Sequence, residues 1–428
     1  MFISYLSGAN PAWRLAIAML LAVPCFEVSA SGLSFDEALK LALREAPILT
    51  SNEEQIDAAR QAAIPAGALP DPQLALGVDN LPVQGADSFS LSRDFMTMQR
   101  VGVMQAFPNL GKLDARTAAA EGRVALAEAQ TRLAKLQVLQ ETAAAWIERE
   151  AVERQLARIS ELEAENRLFE RAVQARFAGG AGMAGELVAP RQEAALIAER
   201  RDELDSRRSQ AIARLKRWVG DAASQPLTGE SPDWPINPDA LSHGLHRHPE
   251  LDLFDPKTRV LNAEVKEAEA EKIPDWTLQL AYQRRGSAYS DMVSLQVSVD
   301  LPLFSGSRQQ PKLEAKLHER NALQAEREAA LQEHTEMLES ALAEHRRLAN
   351  AVKRAREVLI PLAEEKVELT LAAWRGNKGE LSTLIAARRE RIDEELKAIA
   401  LEGERRQLAA RLHYTYSQQT LQDSEQQP

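Results

Sequence analysis

The 428-residue sequence predicts a mainly α fold with a membrane β-barrel portion: long helical hairpins, written twice along the chain, and four β-strands. Three observations carry this. First, one constant offset pairs Phe177-x-Gly179-x-x-Gly182 with Trp374-x-Gly376-x-x-Gly379, Leu187 with Leu384, Ala189 with Ala386, Arg191 with Arg388, and Ala213-Arg214-Leu215 with Ala410-Arg411-Leu412. A single offset without insertion over such a stretch marks an internal duplication. Second, Trp276, Leu278, Leu280 and Tyr282, then Val293, Leu295, Val297, Val299 and Leu301, alternate with polar or small residues, the period of a strand with one apolar face. Third, Leu113 to Ala178 contains no proline and only Gly122, and Val152, Leu156, Ile159, Leu162, Phe169 and Val173 recur at threes and fours. That is a coiled-coil-like seam on one very long helix.

Composition narrows the class. The formal net charge of −11 argues against a nucleic-acid partner, which needs a lysine and arginine excess. Aromatics are only 5%, and the long Ala/Glu/Leu/Arg/Gln stretches suit extended helices. No run of about 20 apolar residues is present, which excludes a helical membrane span but not a β-barrel, whose strands are short and alternate.

Along the chain, residues 1–30 read as a secretory signal: Arg14, the apolar stretch Leu15–Val23, and Val28-Ser29-Ala30 as a small-x-small cleavage site. Cys25 is open to lipidation, but Pro24 precedes it where lipoprotein signals want a small residue. Residues 31–68 hold a short helix from Ser34 to Arg44 and a second, ascending one; 69–112 hold the first strand pair, Pro72–Asn80 and Phe95–Phe107. Residues 113–219 form the first hairpin, with its tip about 178–186, and 220–239 a linker rich in proline. The second copy repeats the parts: helices over 240–272, the first of them expected from Asp239 to Arg247; strands over 273–308 with a turn at Arg285–Ser290; a hairpin over 309–416, tip about 375–383. Leu69-Pro70-Asp71 answers Ile273-Pro274-Asp275, and Phe107-Pro108 with Gly111 answers Leu301-Pro302 with Gly306. Residues 417–428 read as a disordered tail.

Four strands cannot close a barrel in lipid, because two edges stay bare. Amphipathic hairpins with a narrow seam likewise need lateral neighbours. A symmetric ring in which each chain supplies an arc meets both demands, and a strand barrel continuous with a helical barrel is a conduit.

The duplicated layout, the tip turns Phe177-Ala178-Gly179 and Trp374-Arg375-Gly376, and the later Arg191 and Arg388 resemble the TolC family of outer-membrane efflux proteins over essentially the whole mature chain. The resemblance implies a homotrimer with a twelve-stranded barrel in the outer membrane of a Gram-negative bacterium and a helical barrel in the periplasm. It implies as partners a periplasmic adaptor (a membrane fusion protein) and an inner-membrane pump of the resistance-nodulation-division class. By that likeness Gly179, Gly182, Gly376 and Gly379 form the adaptor-docking tips, with Leu187 and Leu384 just beyond; glycine suits a tight reversal through φ > 0 or close backbone approach. A narrower resemblance, carried by Asn80-Leu81-Pro82, Asp94-Phe95-Met96-Thr97-Met98, Val101-Gly102, Gln105, Phe107-Pro108 and Gly111-Lys112, is to the CzcC/CusC-type branch and implies heavy-metal cations as cargo.

One departure concerns the closed entrance. Where well-known members carry an Asp six residues after the tip glycine, this chain has Gly185 and Ser382. Glu186 and Glu380 are nearby substitutes, and Arg191, Arg388 and Arg389 are gate candidates. Arg388 and Arg389 are expected to pair with carboxylates of neighbouring helices, so that charge reversal at Arg388 raises conductance.

Several features invite sharper readings. His243, His246 and His248 form an H-x-x-H-x-H cluster open to zinc or cobalt. On the repeat they fall at Leu41, Arg44 and Ala46 of a structural helix, so a solvated helix end beside Pro249 is favoured. His318, His334 and His345 read as surface residues. Met96, Met98 and Met104 share a strand parity open to soft-metal ligation, but Arg100 and Gly102 share it too, favouring barrel packing. Pro361 is either a hinge or a bulge tolerated in a long helix. The runs at Arg200–Arg208 and Glu390–Arg406 read as solvated faces.

No P-loop, dinucleotide fingerprint, H-E-x-x-H or nucleophile elbow occurs, so no catalysis, cofactor or resident metal is expected. The expected function is an outer-membrane exit duct for metal cations. The alternatives are a duct of the same fold for drugs or secreted proteins, or a soluble periplasmic coiled-coil adaptor or rod.

Overall fold

The computed structural model describes residues 32–416; the expected signal, Cys25 and the tail from Ser417 lie outside the described residues. Strand β1 (Leu33–Ser34) leads into α1 (Phe35–Glu45), capped by the Ser34 hydroxyl, which accepts from the Glu37 amide. Helix α2 (Pro47–Ala63) opens on a proline, which lacks the amide hydrogen a helix start cannot use. Strands β2 (Gln73–Asp79) and β3 (Met98–Phe107) follow, antiparallel. Helix α3 (Leu110–Ala178) then runs unbroken for 69 residues, about 100 Å, and α4 (Ala189–Val219) returns beside it.

The second copy opens through β4 (Leu227–Thr228), α5 (Pro238–Gly244) and α6 (Pro249–Asp252), then α7 (Phe254–Ala270) and strands β5 (Trp276–Arg284) and β6 (Met292–Val299). Helices α8 (Gln309–Arg354) and α9 (Ile360–Arg375) run from the strands to the second tip, and α10 (Leu381–Tyr416) returns. Among the described residues no helix is long and apolar enough to cross a membrane.

Two expectations are corrected and an open one is decided. The cap of the first helix in the second copy is Asn237, whose side chain accepts from the Asp239 and Ala240 amides; the α-helix stops at Gly244 and a 3₁₀ turn, Leu245–Arg247, finishes it. The inter-repeat segment is not a free linker, because β4 pairs in parallel with β1 and the Leu33 amide donates to the Pro226 carbonyl at 2.8 Å. A two-residue strand is too short for periodicity to show. Thirdly, Ala355–Leu359 form a π turn immediately before Pro361. Proline lacks an amide hydrogen and crowds the carbonyl four residues back; the wider turn takes up the misfit, and the helix goes on for another 16 residues. This is the bulge reading.

The largest core lies where α1 and the inter-repeat segment wrap the middle of α3. Trp146 is fully buried, meets Phe35 edge-on at 5.4 Å and donates its indole N–H to the Leu33 carbonyl. One turn on, buried Arg149 donates to the carbonyls of Ala223 and Gln225, both at 2.7 Å. Those bonds satisfy a guanidinium that burial would otherwise penalise heavily. Higher up, α7 crosses α3 at Gly122, where a Cβ would lie 2.8 Å from a methyl of Val260. Only glycine lets the helices approach that closely.

Where strands meet helices, Asn109 caps α3 by accepting from the Lys112 amide and donates to the carbonyls of Ala270 and Ile273 and to the Asp275 carboxylate. Lys112 donates to the other Asp275 oxygen at 2.5 Å. Burial pushes the Asp275 pKa up, but the bonds from Lys112 and Asn109 outweigh it and hold the carboxyl below its usual range. A depressed carboxyl pKa contributes stability that is present above about pH 4 and lost as pH falls below it. Asp275→Asn is therefore expected to lower the melting temperature at pH 7, with the gap from wild type closing below about pH 4. A gap independent of pH would contradict this role.

Candidate functional site

The four long strands form one antiparallel sheet in the order β2-β3-β5-β6, so the β3–β5 pairing joins the two halves. Its register aligns apolar side chains in rows across all four strands: Leu74, Val103, Leu280, Leu295, and next to it Leu76, Val101, Tyr282, Val293. Partners across antiparallel strands point to the same face, and this one is exposed: Leu76 and Val293 are each 70% accessible. The opposite face is polar or small, with Arg100 paired to Asp79 at 3.4 Å and Gln283 donating to Ser294. At the helix end, Phe107 and Trp276 stack at 4.1 Å. The outer edges of β2 and β6 have no strand partner among the described residues.

Met98 and Met104 lie on the polar face of β3 with Arg100 and Gly102. Six residues along a strand separate them by about 20 Å, too far to share an ion. Met96 precedes the strand.

At the far end the two hairpin tips have the same backbone. The Gly179 amide bonds to Ala175, Gly180 to Phe177 and Ala181 to Arg176; in the second copy Gly376 bonds to Ala372, Asn377 to Trp374 and Lys378 to Ala373. The last two bonds of each set are a Schellman motif. Its left-handed residue is Gly180 (φ 74°) in one tip and Asn377 (φ 55°) in the other. That corrects the reason given for the expected tip glycines: Gly179 and Gly376 have φ of −79°. Gly182 and Gly379 serve close approach instead, since a Cβ on Gly379 would lie 3.0 Å from that of Ala373. The tips are tied together by Arg176, which donates to the Trp374 carbonyl and the Asn377 side chain and lies 4.5 Å over the Trp374 ring. Sequence reasoning missed Arg176 and Asn377; Asn in place of Gly at the equivalent repeat position is the signal that could have found the latter.

Behind the tips, Phe169, Val173, Trp374, Leu381, Leu384 and Ile385 form a core that Leu187 flanks. Leu384 is 1% exposed, so the expectation that it contacts a partner is corrected: its surface is spent on packing between helices. Phe177, Met183 and Val188 are the exposed apolar side chains here.

Of the gate candidates, Arg389 donates to buried Glu193 of α4 at 2.7 Å, joining the return helices of the two copies. Arg191 lies 3.5 Å from Glu170 of α3. Arg388 has no carboxylate within ion-pair distance among the described residues; it sits over the Phe169 ring at 4.6 Å, and its Nε is buried without a partner there. Glu380 is exposed and accepts from the Ser382 hydroxyl, and Glu186 is half-buried under Gly182.

No protein-family model matches this chain, and no curated protein sequence matches it. Solved structures do. A membrane protein from Pseudomonas aeruginosa superposes with a TM-score of 0.78 at 19% identity, over 90% of both chains. CusC, whose structures concern transmembrane channel formation, gives 0.74 at 16% identity over 90% of this chain and 92% of its own. The outer membrane protein VceC from Vibrio cholerae gives 0.72 at 18% identity over 89% and 95%. The fold is that of the TolC-type outer-membrane channels.

The tip geometry separates two adjacent glycines. Gly180→Ala, forced to φ 74°, is expected to cost about 1 kcal/mol. Gly179→Ala, whose Cβ would meet nothing closer than 3.5 Å, is expected to be near neutral. Thermal melts of the purified protein check this, and equal losses would contradict the assigned turn.

Proposed function

We propose that this chain is one protomer of a homotrimeric exit duct in the outer membrane of a Gram-negative bacterium, with its helical part in the periplasm. One observation carries the reading. A four-stranded sheet with a largely apolar exposed face and two unpaired edges stands at the end of a helix about 100 Å long. Such a sheet suits lipid on its apolar face and strands of further copies at its edges, giving a twelve-stranded barrel. A soluble rod would leave that face in water, against the general avoidance of large apolar patches. The similar structures of outer-membrane channels support the same reading.

The duct works with a periplasmic adaptor and an inner-membrane pump of the resistance-nodulation-division class, which supplies the energy. The adaptor meets the tips at Gly179, Gly182, Gly376 and Gly379 beside exposed Phe177 and Met183. Interhelical ion pairs hold the entrance closed; Arg389, bound to Glu193, is a better position than Arg388 for a charge reversal that raises single-channel conductance. Glu186, Glu380 and Arg191 contribute charge at the same level.

Heavy-metal cations are the cargo this reading favours, on the resemblance of residues 80–112 to the CzcC/CusC-type branch. Growth of a clean deletion strain on cobalt, zinc, cadmium, nickel, copper and silver, with dyes and detergents as controls, tests it. Selective sensitivity to one metal group is expected. Sensitivity to dyes and detergents alone would transfer the assignment to drug efflux.

A further inference from the structure

Two histidines read as surface residues are buried against each other. His248, the cap of α6, is 4% exposed, and His334 of α8 is 7% exposed. This corrects the solvated-end reading for His248 and the surface reading for His334; His243 and His246 do stay exposed. The two rings are 4.1 Å apart, and Nε2 of His334 lies 3.1 Å from a carboxylate oxygen of Glu250. One ligand atom from each of His248, Glu250 and His334 falls within 4.8 Å of the others.

We propose that His248, Glu250 and His334 bind one divalent transition-metal cation of the zinc class, clamping α6 to α8. Two imidazoles and a carboxylate are the donor set that Zn²⁺, Co²⁺ and Ni²⁺ favour. Ligands at 2.0–2.2 Å in tetrahedral array stand about 3.4 Å apart, so His334 and Glu250 already have the spacing. The third ligand closes by little more than an ångström, within side-chain rotation. A plain hydrogen-bonded pair explains the group less well. Nδ1 of His334 is buried with no hydrogen-bond partner among the described residues. Nδ1 of His248 accepts from the Glu250 amide at 3.2 Å, a capping bond that coordination of a metal by this ring would give up, since a neutral imidazole has only one bare nitrogen.

Two further observations point to a ligand. The group lines a cavity of about 540 Å³ in which Glu250, Glu333, Glu336 and Glu344 outnumber Arg411. And the first copy fills the place of His248 with Ala46, itself 2% exposed. The fold therefore does not require histidine there.

The test uses untagged, detergent-purified full chain with Zn²⁺ by calorimetry and Co²⁺ by visible absorption. One Zn²⁺ per chain is expected, with the d–d bands of four-coordinate Co²⁺. His334→Gln and Glu250→Gln are expected to weaken binding about 100-fold or more, since even outer-shell changes cost 10–100-fold. His248→Ala, the residue of the first copy, keeps the test open should His334→Gln not fold. A His243→Ala/His246→Ala double variant should bind as wild type. No Zn²⁺ uptake, or uptake unchanged in all three ligand variants, overturns the proposal. Because binding is read on the isolated protein, its failure leaves the duct assignment standing, and the reverse holds too.

Discussion

An antiparallel sheet with its backbone unpaired along β2 and β6, and with one face of Leu, Val, Trp and Tyr exposed, cannot stand alone in any solvent. Water disfavours the face, and hydrocarbon disfavours the edges, where each unsatisfied amide or carbonyl costs several kcal/mol. The two penalties vanish together only when the edges find strands and the face finds lipid. Most of the remaining structure follows from holding such a sheet at the end of a long shaft. The capped junction of Asn109, Lys112 and Asp275 fixes the angle at which α3 leaves the strands, using charge-assisted bonds in a partly buried place. The belt around Trp146 and Arg149 anchors the shaft midway, drawing β1, α1 and the inter-repeat segment onto α3.

Duplication gives each copy the same parts, and the points where the copies diverge are where chemistry enters. Gly180 and Asn377 occupy one left-handed position, but only Asn377 offers a side chain, and Arg176 of the other tip takes it. Phe177 is exposed where Trp374 is buried, so one tip presents an aromatic surface and the other uses it as core. Ala46 and His248 make the same contrast at the belt, with the extra imidazole set beside a histidine from α8.

Features of long period were legible in the sequence. Alternation over Trp276–Leu301 locates β5 and β6, and the proline-free stretch ending at Ala178 locates α3, because those patterns repeat often enough to outweigh local exceptions. The repeat places both tips. What stayed hidden depends on contacts between distant segments. The β1–β4 pair joins residues far apart in two-residue strands; His334 is buried only because α6 lies over it; Leu384 and Arg388 turn inward only because the two hairpins pack together. Neither burial nor pairing at such positions is written in the periodicity of one helix.

The claim on which the rest turns is that the open edges are completed by further copies. Cysteines placed together at Ala75 on β2 and Gln296 on β6, both on the polar face, test it with a bifunctional thiol reagent applied to isolated outer membranes. The account predicts a ladder of cross-linked chains that ends at three and that requires both cysteines. Chains that remain single, or a ladder that runs on beyond three, would contradict it.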